Sequence, residues 1–196
     1  MSNSTKINLL GLLLILLGFH LSSFAQSLSK EVQTAWNKLK NDSTSKQKQL
    51  GYIQAFPENG RQFKAVFNPH DFKQLYKDSY QYIETFLSLS KVYPAKVIDK
   101  SIDIGRELVW EADATGQIQE GIVELGNENT RLFVNKVKSL TSDQKKHLIT
   151  FLADVENHKA YTIYQQLIDS LKRINEPELA SQFIKARALR MKQRDH

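Results

Sequence analysis

The stretch Tyr161-Thr162-Ile163-Tyr164-Gln165-Gln166-Leu167-Ile168-Asp169-Ser170-Leu171-Lys172-Arg173-Ile174 decides the fold. Tyr161, Tyr164, Leu167, Ile168, Leu171 and Ile174 recur at steps of three and four, the period of one helical face. Polar residues fill most positions between them, so the segment is an amphipathic helix with one side to bury. The same spacing returns elsewhere. Phe72, Leu75, Tyr76, Ser79, Ile83, Phe86, Leu87 and Ser90 form a longer stripe, and Leu148, Ile149, Leu152 and Val155 a shorter one. Sustained alternation of period two is missing. Gly121-Ile122-Val123-Glu124-Leu125-Gly126 has the length of a strand, but a lone strand has no partner. It reads as a short helix between glycines.

Helix boundaries are marked by their capping chemistry. Asn68-Pro69-His70-Asp71 offers a capping Asn, a proline at the first helical position and an acid in the first turn. Asn175-Glu176-Pro177-Glu178 has the same form, with Glu178 placed for a capping box. Thr44-Ser45-Lys46-Gln47 and Thr141-Ser142-Asp143-Gln144 read as two more boxes, and Pro94 opens another helix. Phe56-Pro57-Glu58-Asn59-Gly60 reads as a turn, with Asn-Gly suited to positive backbone angles. These marks predict helices near 28–40, 44–55, 60–67, 69–92, 95–112, 117–125, 130–139, 142–156, 158–174 and 177–192. The fold class is all-α: antiparallel helical hairpins joined by short connections, in the manner of a short α-solenoid-like array. Residues 86–102 and 133–152 echo one another faintly as helix–cap–helix units, as a helical repeat would.

The first 25 residues read as an address. Lys6 precedes an apolar run from Ile7 to Phe19, and Ser23 and Ala25 are the small residues a signal peptidase reads. A cleavable signal peptide over 1–25, cut between Ala25 and Gln26, leaves one all-helical domain over 26–196. The protein is then periplasmic or secreted, with no transmembrane segment in the mature chain. The chain has no cysteine, which removes disulfides, thiol nucleophiles and cysteine-based metal sites from consideration. Its core must hold by packing alone.

Charge is unevenly spread. Of the formal net charge of +6, only Lys6 lies in the expected leader. From Asp99 to Glu128 the acids Asp99, Asp103, Glu107, Glu111, Asp113, Glu120, Glu124 and Glu128 face only Lys100 and Arg106. From Lys185 to Arg194 the chain carries Lys185, Arg187, Arg190, Lys192 and Arg194 with no acid. Nucleic-acid binding calls for broad basicity, so this pattern argues against it. Asp99, Asp103 and Glu107 share one helical face, and so do Glu120, Glu124 and Glu128. Like charges at that spacing cost a few tenths of a kcal/mol per pair. If the helices are neighbours, the faces join into an acidic surface for a basic partner. A solvated face, neutralised by cations from elsewhere, is the plainer reading.

Trp110-Glu111-Ala112-Asp113-Ala114-Thr115-Gly116 places two acids beside an aromatic. Glu107, Glu111 and Asp113 are the candidate catalytic residues of an alternative function, a cell-wall glycan-acting enzyme, which needs two carboxyls set at a fixed separation by the fold. In the plainer reading Trp110 packs and Asp113 or Thr115 caps the next helix. Tyr76, Tyr80 and Tyr82 with Trp110 form a candidate aromatic binding surface. His70, His147, His158 and His196 lack metal spacing, and no cofactor motif occurs. The last helix aligns Leu179, Phe183, Ala186 and either Leu189 or Arg190. Its other faces are basic, which suits an anionic membrane surface, a packed last helix complementing its own dipole, or docking against the acidic 99–128 region.

The Ala25-Gln26 junction, the string Trp110 to Ala114, the string Phe151-Leu152-Ala153-Asp154-Val155-Glu156-Asn157 and the basic tail ending Asp195-His196 carry a resemblance. The chain resembles exported, uncharacterised all-helical proteins of Bacteroidota. The resemblance implies export and a helical domain, with no activity to transfer. The leading expectation is non-enzymatic protein binding in the periplasm, in a specific form an inhibitor or immunity protein that neutralises a basic toxin or hydrolase. No cofactor or metal is expected.

Overall fold

The computed structural model describes residues 24–67, 69, 75–111 and 113–194. The leader up to Ser23, Asn68, residues 70–74, Ala112 and the final Asp195-His196 lie outside the described residues, and with them the capping Asn68, His70, Asp71 and Phe72 of the sequence reading. The described chain is all helical. Helix α1 covers 24–41. It is followed by α2 (Lys46–Ala55), α3 (Gly60–Val66), α4 (Ser79–Ser88), α5 (Pro94–Gly105), α6 (Ala114–Glu128), α7 (Thr130–Ser139), α8 (Ser142–Leu152), α9 (His158–Arg173) and α10 (Pro177–Arg194). No strand occurs among the described residues, and 121–126 lies inside α6.

The helices pack as a helical bundle or array, and α6 is its hub. It touches α4, α5, α7, α8 and α9. Its buried side includes Ile118, Ile122, Val123 and Leu125. Gly121 lets α4 come close: a Cβ there would run into the tip of Leu87. On α9, Tyr164, Leu167, Ile168 and Leu171 are buried, as their spacing dictates, and Tyr161 at the end of the stripe is exposed. One contiguous apolar cluster runs from Val32 to Phe183. Near the N-terminal helices it is aromatic. Phe56 stacks face to face on Phe86 at 3.9 Å, and Phe63, Phe67 and Tyr52 surround them. At the other end Phe133, Tyr164 and Phe183 meet, and the buried Tyr164 hydroxyl donates to the Phe183 carbonyl at 2.8 Å.

Several boundaries differ from the sequence reading, each for a local reason. The stripe expected to run through 69–92 is divided. A 3₁₀ turn at Tyr76–Asp78 precedes α4, and another at Leu89–Lys91 ends it. Tyr93 must leave the helical region before Pro94, which opens α5 as expected. Helix α5 stops at Gly105 instead of near 112, and Leu108 folds back into the core. Helix α8 stops at Leu152 instead of 156. The carbonyls at its end and beyond it take side-chain donors: Gln119 Nε2 reaches those of Phe151 and Asp154, and Arg187 those of Ala153 (3.1 Å) and Val155 (2.9 Å). Arg190 pairs with Asp154, whose side chain is 4% exposed.

The caps sort in the same way. Thr141 and Gln144 form the expected reciprocal box. At α2 the cap is Ser45, whose hydroxyl accepts from Lys48 N, while Thr44 donates to Asp42. Asn175 does not cap α10. It stands at φ 63° and closes α9, with its N–H on the Lys172 carbonyl and that of Glu176 on Leu171. Asn59 caps α3. Gly60 is needed there for closeness and not for a positive φ, since a Cβ would lie 2.7 Å from Glu107 Cβ and 3.0 Å from the Ile104 carbonyl oxygen.

Candidate functional site

The two acidic faces lie on adjacent helices but do not join. Each lines its own groove. The α5 face looks toward the turn between α2 and α3, where Asp99, Asp103 and Glu107 share a hollow of about 570 Å³ with Glu58, Lys96, Lys100 and Arg106. Here cations arrive from several elements. Asp103 pairs with Lys136 of α7 at 2.9 Å and with Arg106 at 3.4 Å. Glu107 accepts from the Arg61 backbone N–H at 3.4 Å. Lys100 donates to the carbonyls of Gln54 and Phe56, closing α2, and burial holds its ammonium below the usual lysine range. Asp99 is exposed on the rim.

The α6 face looks the other way, toward α4. Glu120, Glu124 and Glu128 line a groove of about 280 Å³ with Glu84 of α4 opposite, Tyr80 and Leu87 on the α4 wall, and Lys91 and Lys159 at its margin. Glu120 is held at its end by Asn157 Nδ2 at 3.3 Å and by Lys159 at 3.8 Å. Among the described residues no cation pairs with Glu84, Glu124 or Glu128. The groove exists because Gly121 admits Leu87, which sets the spacing of α4 and α6. Gln117 ties the two helices by donating to the Tyr80 carbonyl at 3.0 Å.

The aromatic candidates do not form one surface. Tyr82 is buried, with its ring 4.6 Å from Trp36, and its carbonyl accepts from the buried Tyr52 hydroxyl. Tyr80 is 63% exposed at the groove. Tyr76 donates its hydroxyl to Asp113, and this bond raises its phenol above the ordinary range. Trp110 is half-buried, with its indole nitrogen beside Gly116.

The candidate catalytic acids all sit in the connection between α5 and α6, so Glu107 does not share a helix with Asp99 and Asp103 as its spacing predicts, and each has its own contact. Glu111 pairs with Lys64 of α3 at 2.6 Å, Asp113 takes the Tyr76 hydroxyl, and Glu107 takes the Arg61 N–H. Asp113 precedes α6 at φ 57°, and only its backbone carbonyl caps, accepting from Gln117 N. His147 and His158 lie on different helices, α8 and α9.

Glu84 escaped the sequence reading. It lies more than thirty residues before the α6 acids, on a helix read for its apolar stripe, and only the packing of α4 on α6 brings it opposite them. A third hollow, between α1 and α2, is lined by Lys30, Lys38, Lys48 and Glu31 and holds none of the candidate residues. No family model, curated protein or solved structure matches this chain.

Proposed function

We propose that this is an exported, non-enzymatic binding protein that docks a basic partner protein along the α4–α6 groove, in the manner of an inhibitor or immunity protein. The observation that carries the reading is the set of carboxylates Glu84, Glu124 and Glu128, which have no cation partner among the described residues and flank one groove beside the exposed Tyr80. Such an arrangement attracts a cationic surface at long range and offers an aromatic contact at short range. The helices that form it are pinned by the core, so the groove is pre-organised for binding.

The test is capture of a partner from the periplasmic fraction of the source cells. The expected result is one basic protein, retained at low salt and lost as ionic strength rises. Glu124→Lys with Glu128→Lys should abolish capture, and Asp99→Lys should leave it intact. Equal loss in both variants would place the partner elsewhere. Cell fractionation and N-terminal sequencing test export, with cleavage expected after Ala25.

A further inference from the structure

We infer that the outer side of α10 docks on an anionic lipid surface. The helix is apolar on two sides. Its inner side buries Leu179, Ala180 and Phe183 against α8 and α9. Its outer side leaves Ile184, Leu189 and Met191 exposed, three of the nine large exposed apolar side chains of the described chain. Ile184, Ala188 and Met191 follow at steps of four and three, so they form one stripe. The stripe runs along the border of the buried side, next to Ala180, and Ile184 and Met191 remain 46% and 44% exposed there.

The charges beside the stripe select the occupant. From Ser181 to Arg194 the chain has five basic residues and no acid. Arg187 and Arg190 are turned inward onto the α8–α9 connection. Lys185 and Lys192 are exposed next to the apolar stripe, and no carboxylate pairs with either among the described residues. Protein interfaces deplete lysine from their cores. A lipid surface suits it: the stem lies along apolar neighbours while the ammonium reaches the phosphates. A helix that combines apolar side chains with cations of one sign binds in the plane of an anionic membrane, by shallow burial plus charge. Tyr161 of α9, exposed and set 5.6 Å from the Arg187 guanidinium, extends the apolar area at one edge.

The experiment is vesicle co-sedimentation of the protein as isolated from cells. Vesicles of phosphatidylcholine with phosphatidylglycerol are compared with phosphatidylcholine alone. The expected result is roughly tenfold or more preference for the anionic vesicles, declining with salt. Lys185→Glu with Lys192→Glu should erase the preference. Ile184→Ser with Met191→Ser should reduce binding to both vesicle types, and Tyr80→Ser should change neither. All of these positions are exposed, and circular dichroism confirms that the variants keep their helices. Equal binding to the two vesicle types would overturn the proposal, as would variants that bind like the parent. Concentration-dependent self-association that Ile184→Ser with Met191→Ser abolishes, without vesicle binding, would overturn it in favour of a second copy.

Discussion

The acidic sides at α5 and α6 share one sequence pattern, three acids four residues apart, although Glu107 falls just beyond the end of α5, and they end in opposite states. On α5, Lys136 arrives from α7, Arg106 turns back, the Arg61 N–H comes from α3, and Lys96 and Lys100 share the hollow. On α6 only Lys159 approaches, at the Glu120 end, and Glu84 adds a further negative charge. The spacing that places acids on one face therefore does not set the field of that face. Elements distant in sequence decide it by delivering cations or withholding them.

The largest test of this contrast concerns the glycines beside the two sides. Gly60→Ala should cost about 2 kcal/mol in chemical denaturation, because the new methyl meets Glu107 Cβ and the Ile104 carbonyl and cannot be relieved by a rotamer change. Gly121→Ala should cost under about 1 kcal/mol, since the tip of Leu87 can turn aside. Equal costs would mean that the two seams are alike. Next in size is binding. Glu124→Lys with Glu128→Lys should weaken a basic partner by about tenfold or more, near 1.4 kcal/mol, while Asp99→Lys changes affinity less than about twofold. Titration calorimetry with the captured partner would report both.

Smaller still is the stability each side contributes. Asp103→Asn breaks two partly exposed ion pairs and should cost about 0.5–1 kcal/mol, falling with salt. Glu128→Gln should stay within about 0.5 kcal/mol of the parent. A larger loss at Glu128 would reveal a cation held there in solution. The smallest effect is a control that neither side should influence. Burial raises the phenols of Tyr52 and Tyr164 above their ordinary range. The folded state thus holds these protons where the unfolded chain releases them. The stability they confer is complete below about pH 10 and is lost as pH climbs through the folded values. Tyr164→Phe should flatten that alkaline decline, and Glu128→Gln should leave it unchanged, as phenolate absorbance during denaturation would show.

How much of this was legible in the sequence depended on the range of the forces involved. Leu148, Ile149, Leu152 and the α9 stripe from Tyr164 to Leu171 are buried as their spacing requires, because periodicity is local, while Val155 is buried from the connection beyond α8. Thr141 and Gln144 were readable for the same reason. Asn175 was not, because an Asn before a proline suits either a helix start or a left-handed stop, and the preceding helix took it. The division of 69–92 follows from Pro94 and from 3₁₀ turns that leave the three-and-four spacing almost untouched. The candidate acids are exposed or partly exposed, and which of them meets a cation was hidden: Lys136 lies 33 positions from Asp103. Tyr82 looked like a partner of Tyr80 and lies in the core instead, because two residues apart on a helix means opposite sides.

The connection after α8 owes its shape to residues of α10, more than thirty positions later in the sequence. Until the last turns of α10 emerge, the carbonyls of Ala153 and Val155 lack the Arg187 guanidinium and Asp154 lacks Arg190. A nascent polypeptide therefore keeps this connection open until α10 has been made. Removing the final helix would leave such a chain permanently unlatched and open to proteases.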